Sequence, residues 1–381
     1  MENPFVYHSL ASGVSFCNRA KEIETIVRYA RTSHNLLIYS HRRFGKSSLI
    51  LKAFDVVKKE DLEISTIHID LFGTLSEQDF CIKLHEGLSR LEGSMQKLLQ
   101  FFGRGAKQLK FTLGIEALFG DGGMPFTTSL EARDSEVLLS DLMKIINHYA
   151  EKRRLVIALD EFQEVAAYSG GHFEKILRTY IQTQNRVSYI FAGSQQHLLS
   201  EMFSDRSRAF YNLADTLLLP TIEEKEYLLW LSDLFSQNNI RMPYSFMSKI
   251  INQFRNHPML IQRFFHQLWE ILPEKKQINN QILEEMADGI ESQMLQAKEL
   301  DYQNLWQTLT LNQKRTIKLL LLSGGKKIFS TINLARAGIS ATSILDRALK
   351  SLVANDVIYK NGNYCLYDVL FEKWLKKRLS Y

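Results

Sequence analysis

Residues 36–50 read Leu-Leu-Ile-Tyr-Ser-His-Arg-Arg-Phe-Gly-Lys-Ser-Ser-Leu-Ile. The apolar run Leu36–Tyr39 predicts a buried strand, and residues 48–57 predict a helix. Between them lies the G-x-x-x-x-G-K-[ST] pattern of a phosphate-binding loop, with Ser40 where the first glycine usually stands. A strand–loop–helix of this kind points its free backbone N–H groups and its helix N-terminus at phosphate oxygens. Lys46 would place a point charge on the β- and γ-phosphates, and the Ser47 hydroxyl would ligate Mg²⁺. Ser40 is the departure, because a first position with positive φ suits glycine better than serine.

A second element lies about 110 residues on: Arg-Leu-Val-Ile-Ala-Leu-Asp-Glu-Phe-Gln-Glu, residues 154–164. Its apolar run, 155–159, predicts a parallel strand covered on both faces. The run ends in adjacent carboxylates, at the strand end where open α/β sheets bind ligands. Asp160 is expected to hold Mg²⁺, and Glu161 to polarise the water that attacks the γ-phosphorus.

Working outward, strands at 65–71 and 187–192 alternate with helices at 19–31, 77–91, 135–152 and 172–185, with Asn18 read as the cap of the first. Strands alternating with helices predict βαβ units and a parallel sheet. Residues 93–133 read as an insertion with a β pair at 110–119 and a turn at 120–123. From Thr221 the pattern is helical only. The last stretch predicts helices at 311–322, 331–337 and 342–354, then a ribbon over 357–367 turning at Asn361-Gly362-Asn363. Leu345, Ala348, Leu349 and Leu352 recur at i, i+3, i+4 and i+7, and three helices plus a hairpin make a winged helix. The expected fold class is therefore α/β: a parallel-sheet P-loop NTPase domain over 1–219, a helical lid over 220–300 and a winged helix over 301–381.

The 381 residues carry a net charge of +5, unevenly spread. Residues 301–381 hold 13 Lys/Arg against 5 Asp/Glu, a net of +8, while the other 300 hold 34 against 37, a net of −3. A basic terminal domain is the footprint of nucleic acid or of an acidic partner. No apolar run approaches a membrane span, and the opening Met-Glu-Asn-Pro-Phe lacks the features of a signal peptide. Cys17, Cys81 and Cys365 are scattered, as reduced cytoplasmic thiols would be, and the histidines show no metal-ligand spacing.

With these motifs in hand, the chain resembles the archaeal-type P-loop ATPases of the AAA+/STAND assemblage over most of residues 14–375. Their loop reads G-P-R-R-x-G-K-[ST]-S-L, against Ser-His-Arg-Arg-Phe-Gly-Lys-Ser-Ser-Leu from Ser40 to Leu49. Phe16, Arg19 and Glu22 are similar to the family's adenine-side segment, Asp160 to Gln163 to its Asp-Glu-Phe-Gln, and Gly193-Ser194 to its sensor. Asn256-His257-Pro258 resembles its Gly-x-Pro lid turn with the glycine replaced. Where the family often carries Leu-Tyr-Gly-Arg, this chain has Phe210-Tyr211-Asn212-Leu213, so Leu213 holds the place of a candidate arginine finger. Arg206 and Arg208 are the nearby substitutes.

The resemblance implies ATP and Mg²⁺ as cofactors, with the loop residues Ser40, His41, Arg42, Arg43, Phe44, Gly45, Lys46, Ser47 and Ser48 around the nucleotide. Arg19 would join them, as would Arg263 from the lid, and the metal would rest on Ser47 and Asp160. Glu161, Lys46 and Ser194, the last orienting the attacking water, are the expected catalytic set. DNA contacts are expected at Arg347 and Lys350 on the recognition helix and at Lys373, Lys376, Lys377 and Arg378 on the final one. The implied activity is a Mg²⁺-dependent ATPase whose nucleotide state controls the winged helix, with duplex DNA or a protein as partner and nucleotide-dependent self-assembly. The alternative is a non-hydrolysing switch in which ATP locks the winged helix for protein docking.

Overall fold

The apolar runs become strands of one parallel sheet in a computed structural model, which describes residues 2–61, 63–91, 135–168, 171–272 and 279–379. The chain divides into two compact units, Arg19–Pro220 and Met1–Asn18 with Thr221–Tyr381.

In Arg19–Pro220 the strands are β1 (Leu36–Tyr39), β2 (Ile64–Asp70), β3 (Arg154–Asp160), β4 (Val187–Gly193) and β5 (Asp215–Leu218). Their order is β2-β3-β4-β1-β5 and every pairing is parallel. β3 and β4 are buried along almost their whole length, which is why they read as continuous apolar runs. Helices α1 (Ala20–Thr32), α2 (Lys46–Glu60), α3 (Glu77–Ser89), α4 (Ser135–Lys152), α5 (His172–Thr183) and α6 (Gln196–Ser204) fill the connections. One core cluster joins Leu84, Leu139, Ile157, Phe191 and Phe203, binding helices α3, α4 and α6 to the sheet. β4 lies between β1 and β3, so the ends of these three strands place their loops side by side.

Two expectations change here. The cap of α1 is Arg19, not Asn18; both residues are left-handed, with φ of 83° and 43°, and the Arg19 side chain makes no capping hydrogen bond. The expected insertion at 93–133, with its β pair and turn, lies outside the described residues.

In the other unit, α7 (Glu224–Gln237), α8 (Tyr244–Gln253), α9 (Pro258–Ile271) and α10 (Asn280–Gln296) form the helical stretch. The first 18 residues, read in sequence as part of the nucleotide domain, belong to this unit. The reason is Phe5, fully buried with ring centroids 5.6 Å from Trp230 and 5.7 Å from Phe265. Gln262 of α9 ties the segment down by accepting from Val6 N at 3.1 Å and donating to Ser15 O at 2.5 Å.

The chain then forms α11 (Glu299–Thr308), α12 (Leu311–Ser323), α13 (Thr331–Ala337), α14 (Thr342–Ala354), β6 (Ile358–Asn361), β7 (Asn363–Leu366) and α15 (Val369–Leu379). α12 opens on a capping box in which Gln313 accepts from Thr310 N at 2.8 Å. Leu345, Ala348, Leu349 and Leu352 are all buried, and β6 and β7 pair antiparallel as the expected ribbon.

Candidate functional site

Helix α2 begins as the phosphate-loop pattern requires. Gly45 is its N-cap in the left-handed region, φ 83°, where any side chain would be strained. Ser40 needs no such freedom: the positive φ values of the loop belong to Arg43, at 61°, and Gly45. Serine therefore fits the first position, contrary to the expectation from pattern, and its buried hydroxyl donates to His41 O at 3.1 Å. Phe44, Lys46 and Ser48 are buried, whereas Arg42 and Arg43 are exposed.

The carboxylates at the end of β3 meet this helix. The Ser47 hydroxyl donates to Asp160 Oδ2, which leaves the serine oxygen's lone pairs available to a cation. His68 Nε2, on β2, lies 3.2 Å from the same Oδ2, and the Glu161 N–H donates to Oδ1 at 3.1 Å. Glu161 is left-handed, φ 52°, at the start of a short 3-10 helix. A non-glycine residue held there costs roughly 1–3 kcal/mol, a strain typical of functional sites. Its Oε2 accepts from Ser194 Oγ at 3.0 Å and from Gln163 Nε2. Gly193 makes room for this arrangement: a Cβ there would fall 2.0 Å from Gln163 Oε1.

Charge is concentrated where water is scarce. Burial pushes Lys46 down; Asp160 and Glu161 oppose that, and Arg42 adds to it. Burial alone would raise the Asp160 carboxyl, but hydrogen bonds from His68 and Ser47 and the charges of His68 and Lys46 outweigh it and hold it below the ordinary range. Burial, then the charge of Lys46, pushes His41 down to about 4, so its ring is neutral near pH 7. Lys46 is thus the buried amine of the loop, and the charge of the Asp160 carboxylate acts to keep it protonated.

The family model described as "Probable winged helix domain" matches residues 300–377. Among solved structures, a Walker-type ATPase of Pyrococcus abyssi aligns with a TM-score of 0.66 at 16% identity, covering 95% of this chain and 96% of that one. The chain has the fold of a Walker-type ATPase. The Aeropyrum pernix ORC2 protein in its ADPNP–ADP complexes aligns with a TM-score of 0.59 at 13% identity, covering 95% of each chain. Its ADP form aligns at 0.55 and 12%, again over 95% of each chain. No curated protein sequence matches this one.

The Walker-type frame sorts the residues expected from sequence. Lys46, Ser47, Asp160, Glu161 and Ser194 come together in one unit. Arg19 is buried, donating to Glu22 at 3.2 Å and to Pro220 O at 2.6 Å, while its Nη2 is buried with no partner among the described residues. Arg263 belongs to the other unit, where its guanidinium lies 5.9 Å from the Tyr7 ring centroid. Arg208 is locked in place by Glu174 at 2.6 Å, a carboxylate only 2% exposed, and by Glu201 at 3.1 Å. Arg206 is exposed and has no carboxylate partner among the described residues.

The basic cluster of the final helix reads differently in three dimensions. Lys373 pairs with Glu291 at 2.8 Å, Lys376 with Glu372 at 2.7 Å, and Arg378 with Glu299. Lys350 pairs with Asp346 at 2.9 Å on an exposed helix face. Among the described residues Lys377 and Arg347 have no such partner, nor do the exposed Lys326, Lys327 and Arg336. Sequence reading passed over two site residues, Gln163 and His68. Gln163 stood within the Asp-Glu-Phe-Gln motif without a role. His68 was invisible because its partner lies across a strand pair, 92 residues away.

No helix among the described residues is long and apolar enough to cross a membrane. The described residues also contain no group of three or more His, Cys, Asp or Glu that would cage a metal.

Proposed function

We propose that the protein is an ATP-binding, Mg²⁺-dependent ATPase whose nucleotide state controls its winged helix. The Ser47–Asp160 contact beside a buried Lys46 carries this reading. A hydroxyl and a carboxylate are hard oxygen donors, and Mg²⁺ takes one or two such groups together with substrate phosphates rather than a full protein cage. Ser47 and Asp160 would hold Mg²⁺, which would supply the positive charge that neutralises what develops on the phosphates. The amides at the start of α2 hold the phosphates, and Lys46 Nζ supplies the fixed positive charge. Glu161 takes a proton from the attacking water, and Ser194 orients that carboxylate. The Aeropyrum pernix ORC2 protein, similar in fold, was solved with ADPNP and ADP. Saturating Mg·ATP, at about 100 times Kd, should add about 2.7 kcal/mol of stability and raise Tm by several degrees. An unchanged Tm contradicts the reading.

A second reading has its own observation: Arg208 is held by Glu174 and Glu201, and Leu213 stands where an arginine finger was sought. A finger contributes roughly 10³–10⁵ in rate. Without one, hydrolysis is slow and ATP acts as a lock. Arg206 is the arginine of this segment left to serve a neighbouring copy, which would couple turnover to nucleotide-dependent self-assembly.

For the winged helix we propose weak, largely sequence-independent binding to duplex DNA through the cations that lack a carboxylate partner. Changing Lys326, Lys327 and Arg347 together to alanine should reduce the slope of log K against log salt by about 2–3, at about 0.9 per phosphate contact. Changing Lys373, Lys376 and Arg378 should leave that slope nearly unchanged, because those charges are already neutralised within the fold. If the full chain does not shift duplex DNA at low salt, the domain docks protein instead.

A further inference from the structure

We infer that His68 is a positioning residue for the Mg²⁺ site, fixing the Asp160 carboxylate against the Ser47 hydroxyl. The inference rests on the nucleotide reading above. It starts from strand register: β2 and β3 run parallel with His68 opposite Ala158 and Asp70 opposite Asp160. Along β2 the side chains alternate, so the neighbours Ile67 and Ile69 enter the core while His68 falls on the opposite face. From there its Nε2 reaches Asp160 Oδ2 at 3.2 Å, and its side chain is only 18% exposed. Nε2 faces an acceptor-only carboxylate, so this nitrogen carries the proton and donates.

Asp160 is thereby held by three donors from three elements. Ser47 of α2 and His68 of β2 converge on Oδ2, and the Glu161 N–H takes Oδ1. A carboxylate with one donor still turns about its last torsion, which is broad. Donors on both oxygens, two of them side chains from separate elements, stop that rotation. Partners that orient a metal-binding carboxylate typically change metal affinity by 10–100-fold when removed. His68 touches neither the phosphates nor the attacking water in this scheme. Its effect should pass wholly through Asp160.

The experiment measures the affinity of the full chain for a fluorescent N-methylanthraniloyl ADP, with saturating Mg²⁺ and with EDTA. The ratio of the two Kd values reports how strongly metal and nucleotide are coupled, independently of turnover. In His68→Ala that ratio should fall about 10-fold, while the Kd in EDTA stays within about twofold of wild type. His68→Gln, whose amide places a donor near the position of Nε2, should restore most of the ratio. A merely structural histidine would weaken both Kd values together. Should His68→Ala fail to fold, His68→Gln against His68→Leu gives the same comparison. A wild-type ratio in His68→Ala, or in His68→Leu, overturns the role of His68 while leaving the nucleotide reading intact. Absence of Mg²⁺-dependent tightening in the wild type overturns the reading on which it rests.

Discussion

Lys46→Ala should weaken ATP binding by about 100-fold or more, a loss of about 2.7 kcal/mol. Removing one member of a buried charge pair costs about 2–5 kcal/mol when its partner is left behind. Here two partners remain: the Asp160 and Glu161 carboxylates would lose the amine that offsets their charge beside the phosphates. His41 cannot stand in, because burial keeps its ring neutral near pH 7. The protein without nucleotide should lose little stability, since the charged amine is already disfavoured by burial. Equilibrium binding of labelled ATP at matched Mg²⁺ checks this, with a melt of the apo protein as control. Wild-type affinity in the variant would remove the phosphate site from the loop.

Glu161→Gln should separate binding from chemistry. Glutamine keeps the side chain's length and an oxygen that accepts from Ser194 and Gln163, so the surrounding network survives. The proton acceptor is lost, and general-base catalysis is worth about 10²–10⁴ in rate. ATP should stay bound and unhydrolysed, with a Kd within about threefold of wild type, since the base contributes to the transition state rather than to ground-state binding. Asp160→Asn should behave differently, weakening the Mg²⁺ dependence of binding. If Glu161→Gln turns over like wild type, the base lies elsewhere and the left-handed backbone at Glu161 serves only the turn.

Much of this site was legible in the sequence because its signals are local. Gly45, Lys46 and Ser47 sit in one turn, and Asp160 and Glu161 close one apolar run. β3 and β4 were legible because burial on both faces demands unbroken apolar residues. β5 was not: among the described residues it is a four-residue edge strand, mostly exposed and paired only to β1, so nothing in Asp-Thr-Leu-Leu marks it. The N-terminal segment was misplaced for a different reason. Phe5 packs against Trp230 and Phe265, partners more than 200 residues away, and no periodicity reports such a contact. The same distance hid the neutralised charges: Glu291 and Glu299 lie 82 and 79 residues before the cations they hold, Lys373 and Arg378. A count of Lys and Arg measures net charge, and pairing decides how much of it faces a ligand. His68 belongs to this class too, since a cross-strand neighbour is fixed by register alone.

The most direct test of the whole account is a single-turnover measurement, with protein in excess over γ-labelled ATP and Mg²⁺ present or chelated. One slow, Mg²⁺-dependent release of phosphate per bound ATP is expected, absent in Glu161→Gln although that variant retains the nucleotide. ATP recovered intact from wild-type protein that binds it and melts cooperatively would contradict hydrolysis and leave the ATP-locked switch.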